Sequence, residues 1–210
     1  FVGKVFIDEG DPVIVENPPY LGALSAFGPY LPKYVTVEMD EEGMIIEDLE
    51  RALEENPTAK FIYTIPDFQN PTGRQLSLAR RKRMLELAGQ YNVPIVEDSP
   101  YTDLCFEGEQ LPPIKALDDK GLVIYLGTLS KIFCPSCRIG WIFAEKELIS
   151  RFVAINVGAD LQTSLLLQRQ TANFLMGFDM DGHIEKIRAL YKSRRDAMLR
   201  AIEAYMPEDV

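Results

Sequence analysis

The fold is decided by residues 61–101, FIYTIPDFQNPTGRQLSLARRKRMLELAGQYNVPIVEDSPY. A short apolar run, residues 61–65, is followed by an amphipathic segment of helix length that opens at Ser77, and a second apolar run follows at residues 94–96. Ser77 is the expected N-cap of the helix, because its hydroxyl can accept a bond from a free backbone N–H. A strand, a helix and a second strand in this order are typical of a parallel sheet whose strands are joined by helices.

The same alternation continues on both sides of this stretch. Several of the runs are apolar on both faces, as strands are when helices cover both sides of a sheet. The predicted strands are residues 13–15, 34–37, 61–65, 94–96, 123–126 and 140–144. After Ala144 the pattern is helical, and a long amphipathic helix is predicted over residues 181–206. We therefore predict an α/β fold with three layers, α/β/α, around a mostly parallel sheet that is followed by helices.

The helix after Ser77 carries a basic run, residues 80–83, for which two interpretations exist. Such a run is a motif for nucleic-acid binding or nuclear localisation. The chain as a whole is acidic, however, so a solvated helix face is the favoured interpretation. The expected buried stripe of this helix is Leu78, Leu85, Ala88 and Tyr91.

The composition excludes several classes of protein. With 210 residues, 47% hydrophobic and 26% charged, the chain resembles a globular domain with a real core, not a disordered or collagen-like chain. A net charge of −10 disfavours nonspecific nucleic-acid binding, which needs a basic face. No apolar run approaches the roughly 20 residues that span a bilayer and no apolar leader opens the chain, so the expected location is the cytoplasm.

Polar side chains follow three of the predicted strands. Asn70 comes after the first strand of the opening stretch, Asp98 and Tyr101 follow its second strand, and Lys131 follows the strand after that. Each alone has an ordinary explanation as a turn, a helix cap or a surface lysine. Because the carboxyl ends of parallel strands meet at one edge of a sheet, we expect these side chains to converge on one crevice.

The segments PDFQNPTG (residues 66–73), VEDSPY (residues 96–101) and SK followed by CRIGW (residues 130–141) resemble the signature segments of the class I/II aminotransferases. These are fold-type I enzymes that use pyridoxal 5′-phosphate (PLP), and the likeness is greatest to the branch of 2-aminoadipate and kynurenine aminotransferases. The resemblance covers essentially the whole chain, including ENPPYLGAL (residues 16–24) and LPPIKALD (residues 111–118).

The resemblance implies roles for the crevice residues. Lys131 would form the Schiff base with PLP and then act as the base that moves the substrate proton. Asp98 would hold the proton on the ring nitrogen by a charge-assisted bond. Asn70 and Tyr101 would donate to the phenolate oxygen of the cofactor.

The resemblance also implies residues that hold the cofactor ring and phosphate. Tyr20 matches the aromatic residue that stacks on the ring, although a half-buried loop tyrosine is its ordinary interpretation. Arg138 would grip the phosphate with its planar guanidinium, and the hydroxyls of Thr128 and Ser130 would complete that site. No metal is expected, since a single histidine excludes a histidine-rich centre and a Ser-His-Asp triad.

The implied function is transamination, in which an amino acid gives its amino group to PLP and a 2-oxo acid, expected to be 2-oxoglutarate, takes it away. The implied organisation is a PLP-binding large domain over residues 1–180 and a helix over residues 181–210 that leads to a small domain outside this chain, in a homodimer. The alternative is the effector module of a winged-helix transcription regulator of the GntR/MocR type. The asparagine of PDFQNPTG favours the enzyme, and another PLP reaction at the α-carbon stays open.

The stretch CPSC, residues 134–137, has the spacing of a metal or redox cysteine pair. A zinc site would need two further ligands, and only Cys105 and His183 remain; His183 is expected to be exposed surface. The pair falls between the predicted cofactor lysine and the predicted phosphate arginine. A structural role as the turn between them is the favoured interpretation, and thiol reactivity near cationic groups stays open.

Overall fold

A computed structural model describes residues 1–207, which form a seven-stranded sheet with the strand order β3-β2-β1-β4-β5-β6-β7. The five central strands are parallel, and the outer strands β3 and β7 are antiparallel to their neighbours. The strands are β1 (Pro12–Asn17), β2 (Lys33–Asp40), β3 (Gly43–Met44), β4 (Ile62–Thr64), β5 (Ile95–Asp98), β6 (Val123–Thr128) and β7 (Gly140–Phe143). All six predicted strands are present, and only β3 is too short to have a sequence pattern.

Helices cover both faces of this sheet. They are α1 (Val2–Phe6), α2 (Leu21–Phe27), α3 (Ile46–Glu55), α4 (Leu78–Tyr91), α5 (Ile114–Leu117), α6 (Lys146–Asp160), α7 (Leu165–Gly177) and α8 (Met180–Tyr205). In β1 the side chain of Ile14 packs with α3, α4 and α5, whereas Val13 and Val15 pack with α1, α2 and α6 on the other face. Alternate strand residues thus enter two separate apolar layers. The predicted three-layer α/β/α fold is confirmed.

Helix α4 corrects the predicted buried stripe. Ser77 caps the helix as predicted and accepts a bond from the Arg80 backbone N–H. Ala88 is buried, but Leu78, Leu85 and Tyr91 are only partly buried. The fully buried side chains are Arg81, Met84, Leu87 and Ala88.

The prediction of a solvated basic face on α4 is wrong for Arg81, which is 0% exposed and paired with Asp67. Arg80 is also paired, through two 2.6 Å bonds to Asp40. A pattern of charges does not show which long polar side chain will find a buried partner.

The prediction that His183 is exposed surface is also wrong. Its ring is half-buried, and Nε2 lies 3.1 Å from the carbonyl oxygen of Ile132.

The long C-terminal helix is confirmed as α8, but its apolar side is not covered by the described chain. No residue of α8 is buried, and Met198 and Ile202 are 63% and 46% exposed. Ile184, Ile187 and Tyr191 are partly buried. Residues 208–210, the end of the segment 181–210 that is predicted to lead to a small domain, lie outside the described residues. Within residues 1–207, no helix is both long and apolar enough to cross a bilayer.

Candidate active site

The carboxyl ends of β1, β4, β5 and β6 bring the predicted residues to one edge of the sheet. The pairings Tyr63–Val96 and Asp98–Leu126 set β4, β5 and β6 in register there. Asn70 lies in the loop after β4, Asp98 is the last residue of β5, and Lys131 lies in the loop after β6. Loops at adjacent strand ends are where open α/β sheets bind their ligands.

Asp98 is the centre of this site. Its Oδ2 atom accepts a 2.6 Å hydrogen bond from the hydroxyl of Tyr63, which is 3% exposed. Burial raises the pKa of Asp98, while the bond from Tyr63 and the charge of Lys131 act in the opposite direction. Burial and the neighbouring Asp98 carboxylate raise the pKa of Tyr63 as well, so its hydroxyl stays a donor. The arrangement holds a partly buried carboxylate that a cationic ligand group would stabilise.

Tyr63 is a site residue that the sequence analysis missed. It stands in the middle of β4, where all three residues are buried, so the run looks like an ordinary core strand. The signal that could have found it is positional: Tyr63 pairs with Val96, two residues before Asp98, so it faces the same side of the sheet as the carboxylate.

Lys131 and Tyr101 face each other across the crevice. The Lys131 Nζ atom lies 5.8 Å from the centroid of the Tyr101 ring. The lysine is exposed. Its charge also acts on Asp98. The structure therefore brings three of the predicted side chains together.

Tyr20 and Asp98 line the same cavity. Both line a cavity of about 230 Å³ together with Tyr63, Leu126 and the first residues of the chain, residues 1–3. Tyr20 directly precedes α2 and is partly buried. An aromatic ring and a carboxylate thus border one small space.

Thr128 and Ser130 are joined to each other at the end of β6. The two hydroxyl oxygens are 3.0 Å apart, and Thr128 Oγ1 accepts a 3.1 Å bond from the backbone N–H of Ser130. Arg138 returns to this strand end from the loop, with a positive φ of 51° and an exposed side chain. It lines a separate cleft of about 760 Å³ that also includes Gly127. Thr128 Oγ1 also donates over 3.2 Å to the carbonyl of Ile139, so the backbone directly after Arg138 lies beside the hydroxyl pair.

Asn70 is placed by its neighbour Gln69, which is 1% exposed. Gln69 Oε1 accepts bonds of 2.9 and 2.7 Å from the backbone N–H and the hydroxyl of Thr72. Within residues 1–207, no hydrogen bond joins the Asn70 side chain to another predicted site residue. Asn70 itself is partly buried, in a loop that Gln69 fixes on one side and Thr72 on the other.

The CPSC segment forms the turn between Lys131 and Arg138. Residues Pro135–Cys137 make one 3-10 turn, and the Cys137 backbone N–H donates to the Cys134 carbonyl over 3.3 Å. All three cysteines are free thiols. The part of the chain that the structure describes contains no group of three or more His, Cys, Asp or Glu side chains placed to hold a metal ion. The turn has the shape expected of a spacer, and thiol reactivity stays a prediction.

Glu16, at the end of β1, is a buried carboxyl behind the site. It is 2% exposed and its Oε1 accepts bonds from the Thr64 hydroxyl, 2.6 Å, and from the Ile65 backbone N–H, 3.1 Å. Among residues 1–207 its Oε2 atom has no hydrogen-bond partner. Burial raises the pKa of Glu16 from 4.5 to about 7, although both hydrogen bonds lower it.

This shift predicts the pH dependence of stability. The folded protein binds more protons than the unfolded chain between about pH 4.5 and 7, so the free energy of unfolding should fall as the pH rises through that range. Glu16 contributes about 3 kcal/mol to this loss at most. Burial also raises the pKa of Glu97 to about 7 and raises the pKa of Asp98, so Glu16→Gln should reduce the slope without abolishing it. Denaturant unfolding of the full-length protein across this range measures it; an unchanged slope in the variant would contradict the assignment.

Comparison with known proteins agrees with this geometry. The sequence is 48% identical to aromatic-amino-acid aminotransferase 1 of Thermococcus litoralis, over 100% of this chain and 51% of that protein. The structure superposes on kynurenine aminotransferase of Pyrococcus horikoshii, solved in complex with PMP, with a TM-score of 0.95 and 44% identity, over 99% of this chain and 52% of the other. It also superposes on the α-aminoadipate aminotransferase LysN of Thermus thermophilus, complexed with N-(5′-phosphopyridoxyl)-L-leucine, with a TM-score of 0.94 and 37% identity, over 99% and 54%.

The chain spans about half the length of these relatives. A more distant match, 35% identical over 96% of this chain and 42% of the other, is the uncharacterized HTH-type transcriptional regulator YdfD of Bacillus subtilis. The family "Aminotransferase class I and II" matches residues 3–208, nearly the whole chain. The resemblance seen in the sequence is therefore confirmed, and the chain belongs to the class I and II aminotransferases.

Proposed function

We propose that the full-length protein is a PLP-dependent aminotransferase whose cofactor crevice lies at the carboxyl ends of β4, β5 and β6. The observation that carries the proposal is the partly buried Asp98 carboxylate, which accepts a 2.6 Å bond from Tyr63 and whose pKa is influenced by the charge of Lys131. Membership of the family and the PMP or phosphopyridoxyl groups of the two superposed enzymes support it.

The residues present fit PLP. A carboxyl whose pKa is raised by burial gains most from a protonated partner, and the ring nitrogen of PLP can be that partner. An exposed lysine amine stands at the next strand end to meet the aldehyde. When bound, the cofactor supplies an electron sink for the substrate α-carbon.

The crevice residues divide the work of binding and proton transfer. Asp98 would hold the proton on the ring nitrogen, and Tyr63 orients the carboxylate. Lys131 would bind the cofactor through its amine and would serve as the base for the proton at the substrate α-carbon. Asn70 and Tyr101 would donate to the phenolate oxygen of the ring.

The remaining candidates hold the two ends of the cofactor. Tyr20 borders the same cavity as Asp98 and would pack its ring on the face of the cofactor. Arg138, Thr128 and Ser130 would bind the phosphate, for which a guanidinium fork and paired hydroxyls are suited donors. The wide opening beside Arg138 leaves room for a phosphate group there.

The substrates are an amino acid and a 2-oxo acid, with 2-oxoglutarate as the proposed acceptor. In the proposed organisation residues 1–180 form the PLP-binding domain, and the helix over residues 181–210 leads to a small domain. The proposed assembly is a homodimer in the cytoplasm. The exposed side chains Met198 and Ile202 of α8 fit a helix that is covered by further chain.

The second candidate function is the effector module of a winged-helix regulator, and the similarity to YdfD favours considering it. Catalysis is preferred because the relatives of higher identity are named aminotransferases and the loop after β4 keeps Asn70. The gene sequence upstream of Phe1 distinguishes the two, since a regulator needs a DNA-binding domain there.

A panel of amino donors tests the proposed reaction. The full-length protein, loaded with PLP and given 2-oxoglutarate, should form glutamate from at least one donor among aromatic amino acids, 2-aminoadipate and kynurenine. Glutamate is measured by chromatography, with the protein lacking added PLP as the control. No glutamate from any donor by a protein that has bound PLP would exclude this acceptor and leave cofactor binding as a separate result.

A further inference from the structure

A fully buried ion pair lies beneath the loops that carry Asn70 and Tyr101. Arg81 and Asp67 are 0% and 1% exposed, and Arg81 Nη2 is 2.5 Å from Asp67 Oδ1. Asp67 stands three residues before Asn70 at the start of the loop after β4. Its other oxygen, Oδ2, accepts a 2.7 Å bond from the hydroxyl of Thr102, the residue directly after Tyr101. One carboxylate therefore contacts both loops.

Arg81 completes this junction from the helix side. Its Nε donates to the Leu76 carbonyl over 2.9 Å, its Nη2 to the Pro66 carbonyl over 3.1 Å, and its Nη1 to the Pro112 carbonyl over 3.0 Å. The first two carbonyls belong to the beginning and the end of the loop that contains Asn70. The planar guanidinium thus donates to both ends of that loop in fixed directions. A lysine ammonium, which lacks this planar set of donors, cannot do so.

The same loop is fixed from the opposite side to the segment that carries Tyr20. Gln69 Nε2 donates over 2.9 Å to the carbonyl of Pro18, two residues before Tyr20. A continuous series of hydrogen bonds therefore runs from the Tyr20 segment through the Asn70 loop to the Tyr101 loop. These are three of the loops that border the crevice.

Energetics indicate that this pair has more than a stabilising role. Removing two charges from water costs several kcal/mol per ion, and well-packed apolar residues of the same size often stabilise a protein as well or better. What apolar residues cannot supply is directional bonding to several loops at once. The partners of Arg81 and Asp67 in these hydrogen bonds lie in the Asn70 and Tyr101 loops or at the ends of those loops.

We infer that Arg81 and Asp67 are positioning residues that hold the donors of the Asn70 and Tyr101 loops in the geometry that binds the cofactor. The inference rests on the proposed function, because it assigns the loops to PLP. Breaking the junction should let the two donors move independently, which weakens cofactor binding without removing a ligand of the cofactor.

Four variants of the full-length protein test this inference through the equilibrium dissociation constant of PLP, followed by visible absorbance. Thr102→Val deletes one hydrogen bond to Asp67 at nearly constant size, and Thr102→Ser keeps the hydroxyl. Arg81→Met removes the junction, and Arg80→Met is its control on the same helix, since Arg80 bonds to Asp40 at the far edge of the sheet. We expect Thr102→Val and Arg81→Met to raise the constant about tenfold or more, and both controls to stay within about twofold.

The outcomes separate the two proposals. A Thr102→Val protein that binds PLP as tightly as the wild type overturns the inference, as does an equal loss in Arg80→Met and Arg81→Met. If Arg81→Met does not fold, the pair Thr102→Val and Thr102→Ser decides alone. Failure of the wild type to bind PLP would instead overturn the proposed function, and the inference with it.

Discussion

Lys131→Ala in the full-length, PLP-loaded protein should lower kcat/KM for transamination by at least about 10³-fold. The substitution removes both the amine that attaches the cofactor and the base that moves the substrate proton. Within the described residues, Lys131 is the one cation among the groups that shift the pKa of Asp98. The rate is measured as glutamate formed from 2-oxoglutarate and the best donor of the panel.

Two further variants separate attachment from charge. Lys131→Arg keeps a positive charge near Asp98 but has no amine that can attach the cofactor, so it should be as inactive as the alanine variant. Lys82→Ala, at an exposed position of α4, should have wild-type activity. After borohydride reduction, mass spectrometry should find the pyridoxyl group on the peptide that contains Lys131. Activity within tenfold of the wild type in Lys131→Ala would refute the assigned role.

The sequence predicts the placement of this lysine because strand order alone determines it. Once residues 61–65, 94–96 and 123–126 are assigned as consecutive parallel strands, their following loops must meet at one edge. That topology places Asp98 and Lys131 near each other and does not depend on the details of side-chain packing. The structure agrees, with β4, β5 and β6 adjacent and in this order.

The buried polar residues could not be predicted in the same way. Arg81 stands in a run of four basic residues, and only the path of the loop after β4 brings Asp67 to it. Tyr63 and Glu16 each follow an apolar residue in a buried part of a strand, so the local pattern predicts packing and not a site. Their roles depend on partners far apart in the chain, such as the 35-residue separation of Tyr63 and Asp98. Hydrophobic periodicity contains no information about such pairs.

Asp98→Asn should be the second most damaging change, with an expected loss of about 10³-fold in kcat/KM and a smaller loss in PLP affinity. Asparagine has the same shape but no charge, so it cannot hold the proton on the ring nitrogen by a charge-assisted bond. The electron sink then weakens while attachment through Lys131 persists. The variant should therefore still carry the pyridoxyl group on Lys131 after reduction, unlike Lys131→Ala.

Tyr63→Phe supplies the graded test of the same carboxylate. It removes only the 2.6 Å bond to Asp98 Oδ2, and that bond is one of the two influences that lower the pKa of Asp98 against burial. Loss of a bond to a charged group costs about 1.5–3 kcal/mol, so kcat/KM should fall roughly tenfold to a hundredfold. The order of activity should be wild type, then Tyr63→Phe, then Asp98→Asn. If Asp98→Asn retains more activity than Tyr63→Phe, the ring nitrogen has a different partner and Asp98 serves only to orient the tyrosine.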